Sequence, residues 1–120
     1  MKYIVAGSRD FTDYILLSRI LSEFIGFNLD INADKPTIIS GTAKGADKLG
    51  EKYAIDTGCH LIKMPADWDK LGKRAGYVRN QQMANRADRC IVFWDGESKG
   101  SKHMIDIAIN AKIPTTVIPI

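Results

Sequence analysis

The sequence contains few of the residues that support thiol or imidazole chemistry. It has two cysteines, Cys59 and Cys90, and two histidines, His60 and His103. No Cys-x-x-Cys is present, so the thiols form no disulfide framework and are expected to be reduced and structural. The histidines are not at metal-ligand spacing, and the sequence therefore predicts no metal site.

Long hydrophobic runs and a strong net charge are also missing. No apolar stretch approaches the roughly 20 residues that a bilayer crossing needs, so no membrane association is expected. The apolar residues 1–7 are too short for a signal peptide and are typical of a buried strand. Together with the reduced cysteines, these features predict a cytoplasmic protein.

The net charge of +3 is mild, and spread evenly it would serve only solubility. Basic residues are nevertheless crowded between Lys70 and Arg79, where no acidic residue interrupts them. Gathered on one face, these charges could attract phosphate.

Short β-rich runs alternate with amphipathic segments along the whole chain. Strands are predicted at residues 2–6, 37–40, 60–64, 90–94 and 115–120, helices at 13–27, 45–57, 76–87 and 100–112, a polar connection at 28–35 and irregular chain at 66–74. Such alternation is typical of βαβ units with right-handed crossovers. We therefore expect an α/β fold: a single Rossmann-like three-layer domain over residues 1–120, with a parallel sheet of about five strands in the order 3-2-1-4-5 and helices on both faces.

Ligands of open parallel sheets bind beyond the carboxyl ends of the strands, near the point where the strand order reverses. Small and polar residues follow three of the predicted strands at that edge. The candidate ligand-binding residues are Gly7, Ser8, Arg9, Gly41, Thr42, Ala43, Gly45, Ala46, Asp47, Trp68, Arg79, Asn80, Asp95, Gly96, Ser98, Gly100 and Ser101.

Residues 41–47 predict a strand, a glycine turn and a helix. The segment is neither a Walker motif nor the GxGxxG dinucleotide fingerprint. Gly41 and Gly45 would let the backbone approach a ligand, with an anion at the helix N-terminus. Alternatively, they serve only a tight βα turn.

Residues 95–101 share that design, because glycines and serines precede a helix whose first turn could hold a phosphate. Asp95 has two interpretations: it accepts a hydrogen bond from a ribose hydroxyl, or it caps the turn.

Trp68, Arg74, Tyr77 and Arg79 lie together at a loop–helix junction. An aromatic ring can stack on a base, and a guanidinium binds phosphate. The alternative interpretations are that Trp68 is a core residue and that Arg79 is a solvated surface charge.

Taken in order, these motifs resemble the YspA-like branch of the SLOG superfamily over nearly the whole chain. The segments that carry the resemblance are Gly7-Ser8-Arg9, Gly41-Thr42-Ala43-Lys44-Gly45-Ala46-Asp47, Trp68 with Gly72 and Ala75-Gly76, Arg79-Asn80 with Met83, Phe93-Trp94-Asp95-Gly96, and Ser98-Lys99-Gly100-Ser101. The resemblance implies a Rossmann-like fold, found in bacteria and their phages, that senses or processes nucleotide derivatives such as NAD- or ADP-ribose-type molecules.

The chain is also similar to Lonely Guy phosphoribohydrolases at Arg79-Asn80-x-x-Met83 and at residues 96–101. Those enzymes carry a catalytic glutamate three residues after their Gly-Gly-x-Gly-Thr, and Met104 stands at that position here. A methionine can neither stabilise an oxocarbenium-like centre nor activate water. If the protein is an enzyme, Asp95 is the candidate catalytic residue.

The DNA-processing protein A family resembles residues 41–47 and binds single-stranded DNA, which requires a basic groove with stacking aromatics. For such a groove this chain offers only the basic residues between Lys70 and Arg79 and a mild net charge. The expected function is therefore binding or sensing of a small-molecule nucleotide, and no cofactor is certain. A nucleotide N-glycosidase is the first alternative, and single-stranded nucleic-acid binding is the second. SLOG relatives often form dimers, which makes a homodimer the state implied by the resemblance.

Overall fold

The computed structural model describes residues 1–26 and 35–120. In that part of the chain the strands are β1 (Lys2–Gly7), β2 (Thr37–Ser40), β3 (His60–Lys63), β4 (Arg89–Trp94) and β5 (Thr115–Pro119). The helices are α1 (Tyr14–Ile25), α2 (Ala46–Thr57), α3 (Trp68–Leu71), α4 (Ala75–Arg86) and α5 (Lys99–Asn110), with a 3₁₀ turn at Gly72–Arg74.

The strands form one parallel sheet in the order β3-β2-β1-β4-β5. Ile4 of β1 lies opposite Ile39 of β2 on one side and Cys90 of β4 on the other. The chain runs outward from β1 to β3 and then returns to β4, so the strand order reverses between β1 and β4. The predicted sheet order is confirmed.

Successive residues of β1 face opposite sides of the sheet, as the alternation of a strand requires. Tyr3 and Val5 pack in a core with Leu17 of α1 and Tyr53 of α2. Ile4 and Ala6 pack in a second core with buried residues of α4 and α5, among them Met83, Ala84, Met104 and Ala108. The predicted three layers, with helices on both faces, are therefore confirmed.

The chain between β3 and α4 is more ordered than the sequence predicts. The expected irregular segment contains α3 and the 3₁₀ turn, because Asp67 caps the first of them by accepting a hydrogen bond from the Lys70 N–H at 3.1 Å. The predicted helix end at Phe27 and residues 28–34 of the predicted polar connection lie outside the described residues. Among residues 1–26 and 35–120, no helix has both the length and the apolar character needed to cross a membrane.

Gly50 is a test of how closely α2 packs on the sheet. A Cβ added there would lie 2.9 Å from Val5 Cγ1 and 3.0 Å from Val5 Cβ. Alanine gains about 1 kcal/mol of helix propensity over glycine, whereas overpacking a core costs about 1–3 kcal/mol. We expect Gly50→Ala to lower the free energy of unfolding by about 1 kcal/mol in urea denaturation.

Gly100→Ala is the matched control, since a Cβ at this helical glycine would have nothing within 4 Å. It should leave the free energy of unfolding unchanged or slightly raised. A Gly50→Ala variant as stable as the Gly100→Ala variant would show that α2 does not need glycine at this contact.

Candidate functional site

A cleft of about 220 Å³ opens at the carboxyl edge of the sheet, where the strand order reverses. It is bounded by the end of β1, the start of α2, the α3–α4 segment and the first turns of α5. Its lining residues are Ala6, Gly7, Arg9, Asp47, Trp68, Lys73, Gly76, Tyr77, Arg79, Asn80, Met83, Ser98, Gly100, Ser101 and Met104.

The cleft brings together about half of the candidates chosen from the sequence. Those that line it are Gly7, Arg9, Asp47, Trp68, Arg79, Asn80, Ser98, Gly100 and Ser101. The other candidates lie around it, Ala46 at the start of α2 and the rest in loops: Ser8, Gly41, Thr42, Ala43, Gly45, Asp95 and Gly96. These outer residues support the shape of the site, as the next contacts show.

The turn after β2 is held by a buried network. Ser40 Oγ accepts a hydrogen bond from the Thr42 N–H at 3.0 Å and donates to Glu51 Oε2 at 2.7 Å. Thr42 itself has a φ of 66°, a conformation that a β-branched residue adopts only at a cost. The network therefore fixes a strained turn at the base of the cleft.

The two glycines of this turn are required by different neighbours. At Gly45, which has a φ of +78°, an added Cβ would overlap the carbonyl oxygen of Ser8. At Gly41, a Cβ would lie 2.6 Å from Arg79 Nη1 and 2.8 Å from Asp47 Oδ2. Gly45 thus serves the packing of the loops, and Gly41 leaves room for two charged side chains of the cleft.

Asp47 is the buried carboxylate of the cleft, with 4% of its surface exposed. Its Oδ2 accepts a hydrogen bond from the Ala43 N–H at 3.2 Å. Burial raises the pKa of Asp47 to about 6, although this hydrogen bond and the charges of Arg79 and Arg9 act to lower it. The ion pairs in the described segments do not include a direct one to Asp47.

Arg79 is held in a fixed orientation beneath the turn after β2. Its Nη1 donates to the Gly41 carbonyl, and its Nε donates to Asn80 Oδ1 at 3.0 Å. Burial lowers the pKa of the guanidinium, whose charge is opposed by Arg9 and supported by Asp47. Since arginine stays protonated in proteins, Arg79 is a preorganised cation in the cleft wall.

Asn80 links this arginine to the wall on the α5 side. Because its Oδ1 accepts from Arg79, its Nδ2 is the donor to His103 Nδ1, at 3.1 Å. This arrangement favours the neutral histidine with its proton on Nε2, and burial lowers the pKa of His103 accordingly. The His103 ring also packs against the edge of the Tyr77 ring, with centroids 4.4 Å apart.

The two helix N-termini at the cleft differ in charge. The first turn of α2 carries the carboxylate of Asp47, whereas the first turn of α5 has no acidic residue, and Ser98 at its N-cap makes no side-chain capping bond. An anion is stabilised by free N–H groups and repelled by a carboxylate. The first turn of α5 is therefore the less negatively charged of the two, although the Asp95 carboxylate accepts from the N–H of its N-cap, Ser98.

Asp95 has a structural partner for its carboxylate. Its Oδ1 accepts hydrogen bonds from the N–H groups of Glu97 and Ser98, both at 2.9 Å, and these bonds lower the pKa of the exposed carboxyl. Its own N–H donates to Ser8 Oγ at 3.1 Å. Of the two interpretations of Asp95, this geometry supports the turn cap.

Two large aromatic side chains stand at the mouth of the cleft. Trp68 is 53% exposed and Tyr77 is 49% exposed. The Trp68 ring lies against Gly76, where a Cβ would be 3.5 Å from it. The interpretation of Trp68 as a core residue is therefore wrong, because α3 directs it outward.

Six lining residues were not among the candidates chosen from the sequence: Ala6, Lys73, Gly76, Tyr77, Met83 and Met104. Five of them stand on α4, its preceding turn or β1, and the sixth, Met104, stands on α5. Gly76 and Met83 belong to the quoted motifs and Tyr77 was noted for its aromatic ring, whereas no sequence signal pointed to Ala6. In the described part of the chain, no group of three or more histidine, cysteine, aspartate or glutamate side chains is arranged to hold a metal ion.

Comparison with known proteins agrees with this architecture. The family model described as "YspA, cpYpsA-related SLOG family" matches residues 1–71, which include β1, the turn after β2 and Asp47. The chain belongs to this SLOG family. The resemblance read from the sequence motifs is thereby confirmed.

Two further proteins are similar to this SLOG-family chain. The Gene 61 protein of Mycobacterium phage D29 is 34% identical over 83 residues, which cover 64% of this chain and 66% of the phage protein. DNA processing protein A (DprA) from Streptococcus pneumoniae superposes with a TM-score of 0.74 at 19% identity, over 98% of this chain and 50% of that one. The DprA match shows a shared fold, and the chain spans about half to two thirds of these proteins.

The buried Asp47 predicts an unusual pH dependence of stability. Its folded pKa of about 6 exceeds the ordinary value of 3.8, so the native state binds its proton more tightly than the unfolded state does. The stabilisation that this tighter proton binding gives the folded state is complete below the ordinary pKa and is lost as the pH rises through about 6. We expect Asp47→Asn to be more stable than wild type at pH 7, by up to about 3 kcal/mol.

That advantage should shrink towards pH 4, as measured by urea denaturation across the pH range. Asp106→Asn, which changes an exposed aspartate paired with Lys102, is the control. If the gain in free energy of unfolding from Asp47→Asn were the same at every pH, the raised pKa of Asp47 would be contradicted.

Proposed function

We propose that the cleft binds a nucleotide-type small molecule, with its anionic group between Arg79 and the first turn of α5. Arg79 supports this proposal because two hydrogen bonds already fix its guanidinium at the cleft wall. The first turn of α5 supports it because the turn lines the same cleft and carries no acidic residue. A charge-assisted contact from a preorganised arginine is among the stronger polar interactions available.

The exposed aromatics supply the second half of the argument. Trp68 and Tyr77 line the cleft that Arg79 lines, and a planar base can stack on such rings. The observation that carries the proposal is this convergence of a fixed cation, the first turn of α5 and two exposed aromatic rings in one cleft.

The size of the cleft narrows the class of ligand. Its volume of about 220 Å³ lies below the range of about 300–1,000 Å³ that is usual for drug-sized ligands. A mononucleotide therefore suits the cleft better than a dinucleotide such as NAD, whose second half would extend into solvent.

Arg79→Ala tests the anion site. We expect it to raise the dissociation constants of nucleoside monophosphates about ten- to a hundredfold, because a charge-assisted hydrogen bond is lost. The dissociation constants of the corresponding nucleosides should change much less. Isothermal titration calorimetry of both ligand classes measures the difference. Arg86→Ala, at the exposed carboxyl end of α4, is the matched control.

Circular dichroism of each variant verifies that the fold is retained. Equal weakening of nucleotides and nucleosides in folded Arg79→Ala would assign Arg79 a structural role. Failure of the wild-type protein to bind any nucleotide would overturn the proposed function.

The first alternative is hydrolysis of a nucleotide N-glycosidic bond. Met104 lines the cleft at 1% exposure, at the position where the Lonely Guy relatives carry their glutamate. Asp95, the substitute considered from the sequence, is bonded to its own turn. Neither position supplies a carboxylate for the reaction. Asp47 is the only carboxylate among the described lining residues, whereas glycoside hydrolysis ordinarily uses a pair of carboxylates.

We therefore expect no enzyme-like release of free base. The protein would be incubated with AMP, GMP, CMP, UMP, NAD and ADP-ribose, and the products separated by chromatography. Asp95→Asn and Asp47→Asn are run in parallel, and turnover that the wild type and both variants share indicates a contaminant. Rapid turnover that either variant abolishes would establish the hydrolase instead.

Nucleic-acid binding is the second alternative, and one observation favours it. The exposed Trp68 and Tyr77 stand beside the cation of Lys73, and single-stranded nucleic acids are bound by such combinations of rings and charge. An oligodeoxythymidylate included in the Arg79 titrations separates the two. Tight, strongly salt-dependent binding of the oligonucleotide without binding of mononucleotides would favour this alternative.

A further inference from the structure

The cleft contains a carboxylate that the protein leaves only partly bonded. Asp47 is 4% exposed and lines the cleft, and the described residues give its side chain one hydrogen bond, from the Ala43 N–H to Oδ2. No fully buried side-chain nitrogen or oxygen in the described segments lacks a partner. Oδ1, which has no such bond, is therefore not fully buried, and the side chain it belongs to lines the cleft.

A carboxylate buried in this way is costly unless something accounts for it. An ionised group that loses water needs several hydrogen bonds or a close countercharge to compensate. The nearby Glu51 shows the alternative, since it accepts from Ser40 Oγ at 2.7 Å and lies 3.5 and 3.6 Å from the ammonium groups of Lys48 and Lys63. Asp47 has no comparable set of partners, which leaves an acceptor available to a ligand.

The position of this acceptor relative to Arg79 specifies the ligand chemistry. Arg79 Nη1 and Asp47 Oδ2 lie 2.6 and 2.8 Å from the same point above Gly41. Both of these atoms are already bonded, Nη1 to the Gly41 carbonyl and Oδ2 to the Ala43 N–H, so the distances show that the guanidinium and the carboxylate are neighbours in the cleft wall. The acceptor left for a ligand is the other oxygen of the carboxylate, Oδ1. A ligand that satisfies both must carry an anionic group and, a few ångströms away, a hydroxyl that donates.

We propose that Asp47 binds a sugar hydroxyl of the ligand, so that the cleft selects a phosphorylated sugar, as in a ribonucleotide, over a bare anion. This inference rests on the proposed function and adds to it the part of the ligand that is recognised. It assigns to Asp47 the ribose contact that was one of the two interpretations of Asp95. A charged acceptor that meets a sugar hydroxyl gives discrimination, because the ligand without the hydroxyl leaves the carboxylate unpaired.

The test compares ribose 5-phosphate with inorganic phosphate, a pair that differs by the sugar and contains no base. Calorimetric titration gives the ratio of the dissociation constant of inorganic phosphate to that of ribose 5-phosphate. We expect Asp47→Asn to lower this ratio about tenfold or more, as loss of a charged hydrogen bond does. The ratio cancels the change in phosphate repulsion that accompanies the loss of the negative charge.

Two variants complete the design. Asp106→Asn, on the exposed side of α5, should leave the ratio unchanged. Asp95→Asn tests the other assignment: a fall in the ratio with Asp95→Asn, and not with Asp47→Asn, would overturn the inference. An unchanged ratio in folded Asp47→Asn would also overturn it, while nucleotide binding by the wild type would leave the proposed function standing.

A measurement on the wild-type protein covers the case in which Asp47→Asn does not fold. The groups that face the Asp47 carboxyl are Arg79 from α4, Arg9 after β1 and Glu51 from α2. For this measurement methyl phosphate replaces inorganic phosphate, because it is a monoester whose second ionisation lies close to that of ribose 5-phosphate. A fall in the ratio on acidification through about pH 6 then reports protonation of Asp47. A ratio that is constant from pH 7.5 to about 5 would contradict the role of Asp47.

Discussion

The backbone that leaves β1 passes so close to its neighbours that a side chain fits at neither of two glycines. A Cβ on Gly7 would overlap the carbonyl oxygen of Phe93, and one on Gly45 would overlap that of Ser8. This close approach lets the Ser8 N–H donate to Phe93 O at 2.9 Å and the Ala46 N–H donate to Ser8 O at 3.3 Å. The ends of β1 and β4 and the start of α2 are thereby joined, and the cleft is the space left beside this junction.

The alternation of strands and helices was enough to predict the sheet order and the layers, because each βαβ unit has few ways to return to a parallel sheet. The same reasoning located the edge at which the site would form. The glycine within α2 was also informative, since its cost is explained by contact with Val5. The short helix α3 escaped the sequence reasoning because a single capping side chain, Asp67, stabilises it.

Sequence reasoning was weaker on the individual roles of the site residues, since a role depends on where a side chain points. Asp47 and Asp95 both lie between a strand and a helix at the same edge of the sheet, Asp47 in the first turn of α2 and Asp95 just before α5. One is buried and lines the cleft, whereas the other is exposed and bonded to its own turn. Only the packing of α2 against the sheet distinguishes them, and no pattern of residue types encodes that packing directly.

Charges of both signs in one small cleft restrict what it can hold. A simple anion would gain from Arg79 but would be repelled by Asp47, whose carboxyl becomes ionised above a pKa of about 6. A simple cation would be attracted by Asp47 but repelled by Arg9 and Lys73, which line the same cleft. A ligand with an anionic end and a neutral donor meets neither repulsion in full. The charge pattern of the cleft thus argues for a ligand of mixed character, independently of the stacking surface that Trp68 and Tyr77 provide.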